Sequence, residues 1–201
     1  MPADLSPVLI LAAILGGYLL GSVPFGVVAM KLAGAGDPRS IGSGNIGATN
    51  VLRSGRKDLA ALTLIGDSGK GAFAVLIAWI LTKHASKDAQ SVLTCLAASA
   101  AFLGHIFPVF LGFKGGKGVA TFFGTLLAAA WPVGLAAGAT WLAVAFFMRL
   151  SSLAALSAAA LAPLYAVFVF DQPYPVAAMS LLMAVLIFVR HHENIARLLN
   201  G

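Results

Sequence analysis

Gly104-His-Ile-Phe-Pro-Val-Phe-Leu-Gly-Phe-Lys-Gly-Gly-Lys-Gly-Val-Ala-Thr121 lies between two apolar runs, and its centre, Lys114-Gly-Gly-Lys-Gly118, gathers glycines and cations in a short loop. Glycine lacks a Cβ, so such a backbone bends freely and comes close to a ligand. Its N–H groups can surround an anion, above all where a helix begins just beyond. A nucleotide loop of the Walker type has four residues between its first glycine and Gly-Lys, then Ser or Thr, and joins a strand to a helix. Here Gly112 and Gly116 enclose three residues, Gly118 follows Lys117, and both flanks are apolar. The nucleotide reading fails on spacing. Two readings remain open for the loop alone: an anion cradle, or a cytoplasmic turn whose lysines orient the neighbouring helices.

The flanks decide the fold class. Of 201 residues, 60% are hydrophobic and 10% charged, and the mean hydropathy is +0.94. Soluble domains carry roughly 25% charged residues, so a soluble chain of this size could not cover its surface. The chain reads as an all-α polytopic membrane protein, one domain over residues 1–201. Apolar segments at about 6–30, 59–82, 91–112, 118–131, 133–149, 153–170 and 174–190 give about seven transmembrane helices, the fourth of them short. The first is not read as a cleaved signal, because Asp4 rather than a basic segment precedes it and many similar runs follow. Trp131-Pro132 and Asp171-Gln-Pro-Tyr-Pro175 punctuate the later segments. Lone Cys95, inside an apolar run, is a packing residue.

The formal charge of +6 reports topology and lipid contact, and no nucleic-acid partner is implied. With the N-terminus outside, the inner connections and tail hold Lys31, Arg39, Arg53, Arg56, Lys57, Lys114, Lys117, Arg149, Arg190 and Arg197, and the outer ones only Lys83 and Lys87. That asymmetry predicts N-outside, C-inside. The second, fourth and sixth segments then start on the cytoplasmic side, where their free N–H groups and positive dipole ends favour anions. The residues ahead of those starts are Ser43 to Asp58, Gly112 to Gly118, and Ser151-Ser152.

Within those connections, Ser43, Asn45, Thr49 and Asn50 offer hydrogen bonds beside Arg53, whose guanidinium can fork onto phosphate. Asp67 and Lys70, inside the second segment and spaced i,i+3, share a helical face. They read either as a structural ion pair or as part of the site, because charge at that depth is costly unless paired or facing a polar cavity. His105 reads equally as a packed histidine or a base, and Arg190-His-His-Glu-Asn-Ile-Ala-Arg197 as an interfacial anchor or a site segment. No Gly-x-Ser-x-Gly elbow, Cys/His metal pattern or His-x4-Asp signature occurs; His84 and Asp88 enclose only three residues.

Taken together, Ser43-Gly-Asn-Ile-Gly-Ala-Thr-Asn50, Gly104-His-Ile-Phe-Pro108 with Phe113-Lys-Gly-Gly-Lys-Gly-Val-Ala-Thr121, and His191-His-Glu-Asn-Ile-Ala-Arg197 resemble the bacterial acyl-phosphate-dependent glycerol-3-phosphate acyltransferases. Asp67-Ser-Gly-Lys-Gly71 and Ser151-Ser152 are similar to that family as well, so the resemblance spans nearly the whole chain. It implies an enzyme of the bacterial inner membrane, its active site on the cytoplasmic face. The reaction implied is transfer of a fatty acyl group from acyl phosphate to the 1-hydroxyl of glycerol 3-phosphate, at the start of phospholipid synthesis. No cofactor or metal is implied, and the chain would act in membrane lipid beside a soluble enzyme that produces acyl phosphate.

Both substrates of such a reaction carry phosphate, so cations and backbone donors must offset their repulsion. Ser43, Asn45, Asn50, Arg53, Lys114 and Lys117 are the expected phosphate ligands, with Gly115, Gly116 and Gly118 supplying backbone contacts. Thr49, Ser152, His191 and Asn194 are the expected orienting or polarising groups. The absence of a nucleophile–base pair points to direct attack by the substrate hydroxyl, its proton taken by a substrate phosphate oxygen or by His191. A small transporter of organic phosphates is the competing class, though the polar loops cluster on one face.

Overall fold

The computed structural model describes residues 4–200 of the chain, and every regular element among them is helical. The first apolar segment is a broken pair, α1 (Pro7–Ser22) and α2 (Phe25–Leu32), bent by 41° at Val23-Pro24. Proline has no N–H to continue the ladder and crowds the preceding turn. A short helix, α3 (Ala48–Leu52), lies in the following connection, and α4 (Lys57–Leu81) and α5 (Lys87–Ile106) form an antiparallel pair. Beyond them come α6 (Val119–Ala129), α7 (Trp131–Met148) and α8 (Ser151–Leu164). α8 continues as one π turn, Tyr165–Val169, just after Pro163. The last segment, α9 (Tyr174–Arg190), turns by 61° at His191 into α10 (His192–Asn200).

All seven apolar segments of the sequence are therefore helical, but they are not equivalent. Among the described residues four helices are long and apolar enough to cross a bilayer, or up to six if each bent pair is one span. α6, with 11 residues, is about 16 Å long against a hydrocarbon core of about 30 Å. The third segment is helical only to Ile106, and its end is a separate turn at Val109–Leu111. Large apolar side chains cover the outside, Phe146 and Phe168 being 77% and 79% exposed; that surface suits lipid, not water.

Two contacts fix the depth of α6. The Thr121 hydroxyl donates to the Asp67 carbonyl at 2.9 Å, and Gly124 is so close to α4 that a Cβ there would lie 2.0 Å from the Ser68 carbonyl oxygen. α6 thus runs parallel to α4 but starts level with about Leu64, some 10 Å in from the start of α4. The Gly112–Gly118 connection leads down to that level, below the end of the bundle.

Helix α1 packs along α5 through an equally close approach. A Cβ on Gly21 would lie 2.0 Å from the Ala101 carbonyl oxygen, whereas one on Gly16 would meet nothing within 4 Å. Backbone cannot yield as a flexible side chain does, so Gly21→Ala forces the helices apart. It is expected to destabilise the protein by about 1–3 kcal/mol, read as a lowered thermal midpoint in detergent, with Gly16→Ala as the control that leaves the midpoint unchanged. Equal midpoints for the two variants would refute this packing.

Candidate active site

The connection before α4 is folded around one side chain. Asn50 is buried; its Nδ2 donates to the carbonyls of Pro38 and Asn45, each at 2.7 Å, and of Ile41 at 3.1 Å. Its Oδ1 accepts from the Ser43 N–H at 2.9 Å and the Ser43 hydroxyl at 3.2 Å. The amide is spent on the loop, so Asn50 is its organiser, and Asn50 also lines the cavity beside the residues it positions. It sets Ser43, Asn45, Thr49 and Arg53 on one wall of a cavity of about 850 Å³. The Arg53 stem packs over Gly42.

The opposite wall is built from the α5–α6 connection and the tail. Lys117 and Gly118 line the cavity; Lys114, Gly115 and Gly116 do not. Lys114 is exposed. Gly115 and Gly116 are pressed against the end of α5: the Gly116 N–H donates to the His105 carbonyl at 3.1 Å, and Cβ atoms on the two glycines would overlap the His105 carbonyl and ring. Both of their carbonyls accept from Arg190. Their glycine identity therefore serves close packing against the end of α5. Gly118, at φ +83°, makes the left-handed turn into α6.

The 61° turn at His191 brings the tail back over the loop. His191 Nδ1 stands 2.8 Å from the Ile187 carbonyl, which can only accept, so the neutral ring carries its proton on Nδ1 and keeps a lone pair on Nε2. Asn194 accepts a hydrogen bond from the Lys117 ammonium. Arg197, one turn beyond Asn194 on α10, also lines the cavity, as does Ser152 at the start of α8. Arg197 escaped the choice of candidates from sequence, though its i,i+3 spacing from Asn194 placed both on one face.

Charge pairing sorts the cations. Arg39 is forked onto Asp37, whose carboxyl it holds down at about 2, and Arg56 is forked onto Asp58. Among the described residues Arg53, Lys117, Arg190 and Arg197 have no carboxylate within 4 Å. Partial burial, then the neighbouring Arg197, lower the pKa of Lys117 below the ordinary lysine value. Glu193 acts on Lys117 only from beyond contact distance, so Arg53, Lys117 and Arg197, which line the cavity without an ion-pair partner, are prepared for an anion.

Asp67 and His105 close the cavity floor. Asp67 Oδ1 accepts from Lys70 Nζ at 2.8 Å, and His105 Nδ1 lies 3.0 Å from the same ammonium. The pair left open by the sequence is thus a buried triad at the base of the site, with Lys70 itself turned away from the cavity. From the cationic end the cavity runs along α6 and α7 past Phe123, Leu127, Gly134, Leu135, Trp141 and Leu142, an apolar arm joined directly to the cations.

Comparison with known proteins completes the picture. The sequence profile of the family described as "Glycerol-3-phosphate acyltransferase" matches residues 11–201. The chain belongs to that family. The glycerol-3-phosphate acyltransferase of Caulobacter vibrioides is 68% identical over 189 residues, covering 94% of this chain and 84% of the relative. That of Rhodospirillum rubrum is 60% identical over 204 residues, covering 99% and 94%. Among solved structures, the glycerol 3-phosphate form of PlsY (YgiH), an integral membrane glycerol 3-phosphate acyltransferase, superposes with a TM-score of 0.86 at 41% identity. It covers 96% of this chain and 92% of that one. The lysophosphatidic acid form superposes with a TM-score of 0.84 at 39% identity and the same coverage. These likenesses agree with the all-helical membrane reading and with the family resemblance carried by the polar loops.

The two lysines of the glycine loop are now distinguished by position. Lys117→Ala is expected to lower kcat/KM for acylation by about 10²-fold or more, the scale for losing one donor to developing charge, while Lys114→Ala stays within a few-fold of wild type. Steady-state kinetics of the two purified variants decide it. Equal losses would return Lys114 to the site.

Proposed function

We propose that this protein transfers a fatty acyl group from acyl phosphate to the 1-hydroxyl of glycerol 3-phosphate, releasing 1-acyl-glycerol 3-phosphate and inorganic phosphate. The observation that carries this reading is the continuity of the cavity: unpaired cations at one end and an apolar arm at the other. An acyl phosphate has that polarity, and a second phosphate-bearing substrate calls for more than one cation. Family membership supplies glycerol 3-phosphate as acceptor, and lysophosphatidic acid matches the second PlsY form.

In the proposed reaction the 1-hydroxyl oxygen attacks the acyl carbonyl carbon. The new ester C–O bond forms, the bond from that carbon to the phosphate oxygen breaks, and phosphate leaves with the electron pair. Acyl phosphate is already activated, so the protein need only position the two reactants and stabilise charge. Arg53, Lys117 and Arg197 oppose the charges of the two phosphates, with Ser43 and Asn45 beside them. Thr49, Ser152 and Asn194 orient the reacting groups. The hydroxyl proton goes to a substrate phosphate oxygen or to Nε2 of His191, the nitrogen left free by the Ile187 contact. The acyl chain lies along the α6–α7 arm, open to lipid at Leu135, Ala139 and Leu142.

The basic residues set this end of the bundle in the cytoplasm, the N-terminus outside, in the inner membrane of a bacterium. The reaction begins phospholipid synthesis there, beside a soluble producer of acyl phosphate. A phosphate transporter needs a polar path across the bundle, and the arm leading from these cations is apolar.

Purified protein given glycerol 3-phosphate with acyl phosphate, acyl-CoA or acyl carrier protein in turn is expected to form product with acyl phosphate alone. Product from either thioester without acyl phosphate would overturn the donor assignment. Quenching during turnover with a labelled donor is expected to leave no label on the protein; a trapped acyl-enzyme would refute direct transfer.

A further inference from the structure

Arg190 lies outside the cavity wall, yet it is the point at which the tail holds the glycine loop. Its Nη2 donates to the Gly115 carbonyl at 2.8 Å and its Nε to the Gly116 carbonyl at 3.2 Å. The planar guanidinium thus spans two successive peptide units, a geometry that a single ammonium cannot copy. On the other side of the same peptides stands His105. Its carbonyl accepts the Gly116 N–H, and a Cβ on Gly116 would lie 2.2 Å from its Nε2. His105 is itself immobilised, because the three protons of Lys70 are directed at Asp67 Oδ1, the Val23 carbonyl at 2.9 Å and His105 Nδ1.

We infer that Arg190 is a positioning residue that clamps Gly115 and Gly116 against His105 and thereby sets where the Lys117 ammonium stands in the site. Lys117 is the next residue after the clamped pair, and Asn194, four residues after Arg190, accepts its ammonium. Loop and tail are therefore held in register by contacts from the two sides of the His191 turn: the Arg190 fork on the backbone and the Asn194 contact on the side chain. Releasing the fork leaves the charge of Lys117 in place but frees its backbone to move. An ångström of displacement at a reacting site is enough to cost about 10²-fold in rate.

The inference rests on the acyl-transfer reading above, and its test carries one readout that does not. Arg190→Gln is expected to lower kcat/KM with glycerol 3-phosphate about 10²-fold. Hydrogen exchange is expected to accelerate at Gly116 and across residues 112–118, with the amides of α4 and α8 and the thermal midpoint unchanged. Arg190→Lys keeps the charge without the fork, and is expected to remain near the Gln variant in both measurements. Wild-type kinetics in Arg190→Gln, or recovery in Arg190→Lys, would overturn the clamp, the latter making Arg190 a charge near the phosphates. Faster exchange throughout the bundle with a lowered midpoint would also overturn it, making Arg190 a general stability residue. If the wild type forms no acylated product at all, the reaction fails while the exchange result still decides the clamp.

Discussion

One buried ammonium ties together the parts of this molecule that have no other reason to meet. Lys70 is inside a lipid-embedded bundle, where an unpaired charge is costly, and it reaches three acceptors on three helices or helix breaks. The Val23 carbonyl is available because Pro24 interrupts the first apolar segment. Asp67 compensates the charge from the same face of α4. His105 completes the set from the end of α5 and stands directly under the glycine loop. Such a cluster is weak evidence for stability as such, but here it has a geometric product: the break in α1–α2, the middle of α4 and the end of α5 share one fixed point.

The site is built outward from that point. Because α5 stops at Ile106 and α6 starts well inside the bundle, the glycine loop brings Lys117 below the surface instead of displaying it there. The Asn50-organised loop closes the other side, and the turned tail closes the top. Lys117 is half-buried while Arg53 and Arg197 stay exposed at the mouth, so the contact that an anion makes with Lys117 is the less screened one. The apolar arm begins at the same place, so a charged headgroup and a lipid chain can be held by one cavity without either crossing the other's territory.

Much of the fold was legible because its signals are one-dimensional. Apolar length gave the segments, and the unequal distribution of Lys and Arg gave an orientation for them. The break at Pro24 was hidden by the unbroken apolarity on both sides of it, and the shortness of α6 gained its meaning only from the contacts of Thr121 and Gly124 with α4. Site residues divided along a similar line. Ser43, Asn45, Thr49, Arg53, Lys117, Ser152, His191 and Asn194 share a cavity as their grouping in polar connections suggested. Lys114, Gly115 and Gly116 fall outside it, since adjacent residues in a loop face different ways and composition cannot tell which. Asn50 lines the same cavity, with its amide engaged by its own loop. Asp67 and His105 were ambiguous because they meet only in the fold, where Lys70 reaches both.

The most direct test of the account is turnover of the purified protein with acyl phosphate and glycerol 3-phosphate whose 1-hydroxyl carries isotopically heavy oxygen. Attack of that hydroxyl on the acyl carbon predicts the label in the ester of the product and none in the released phosphate. Label in the phosphate, or no acylated product at all, would contradict it.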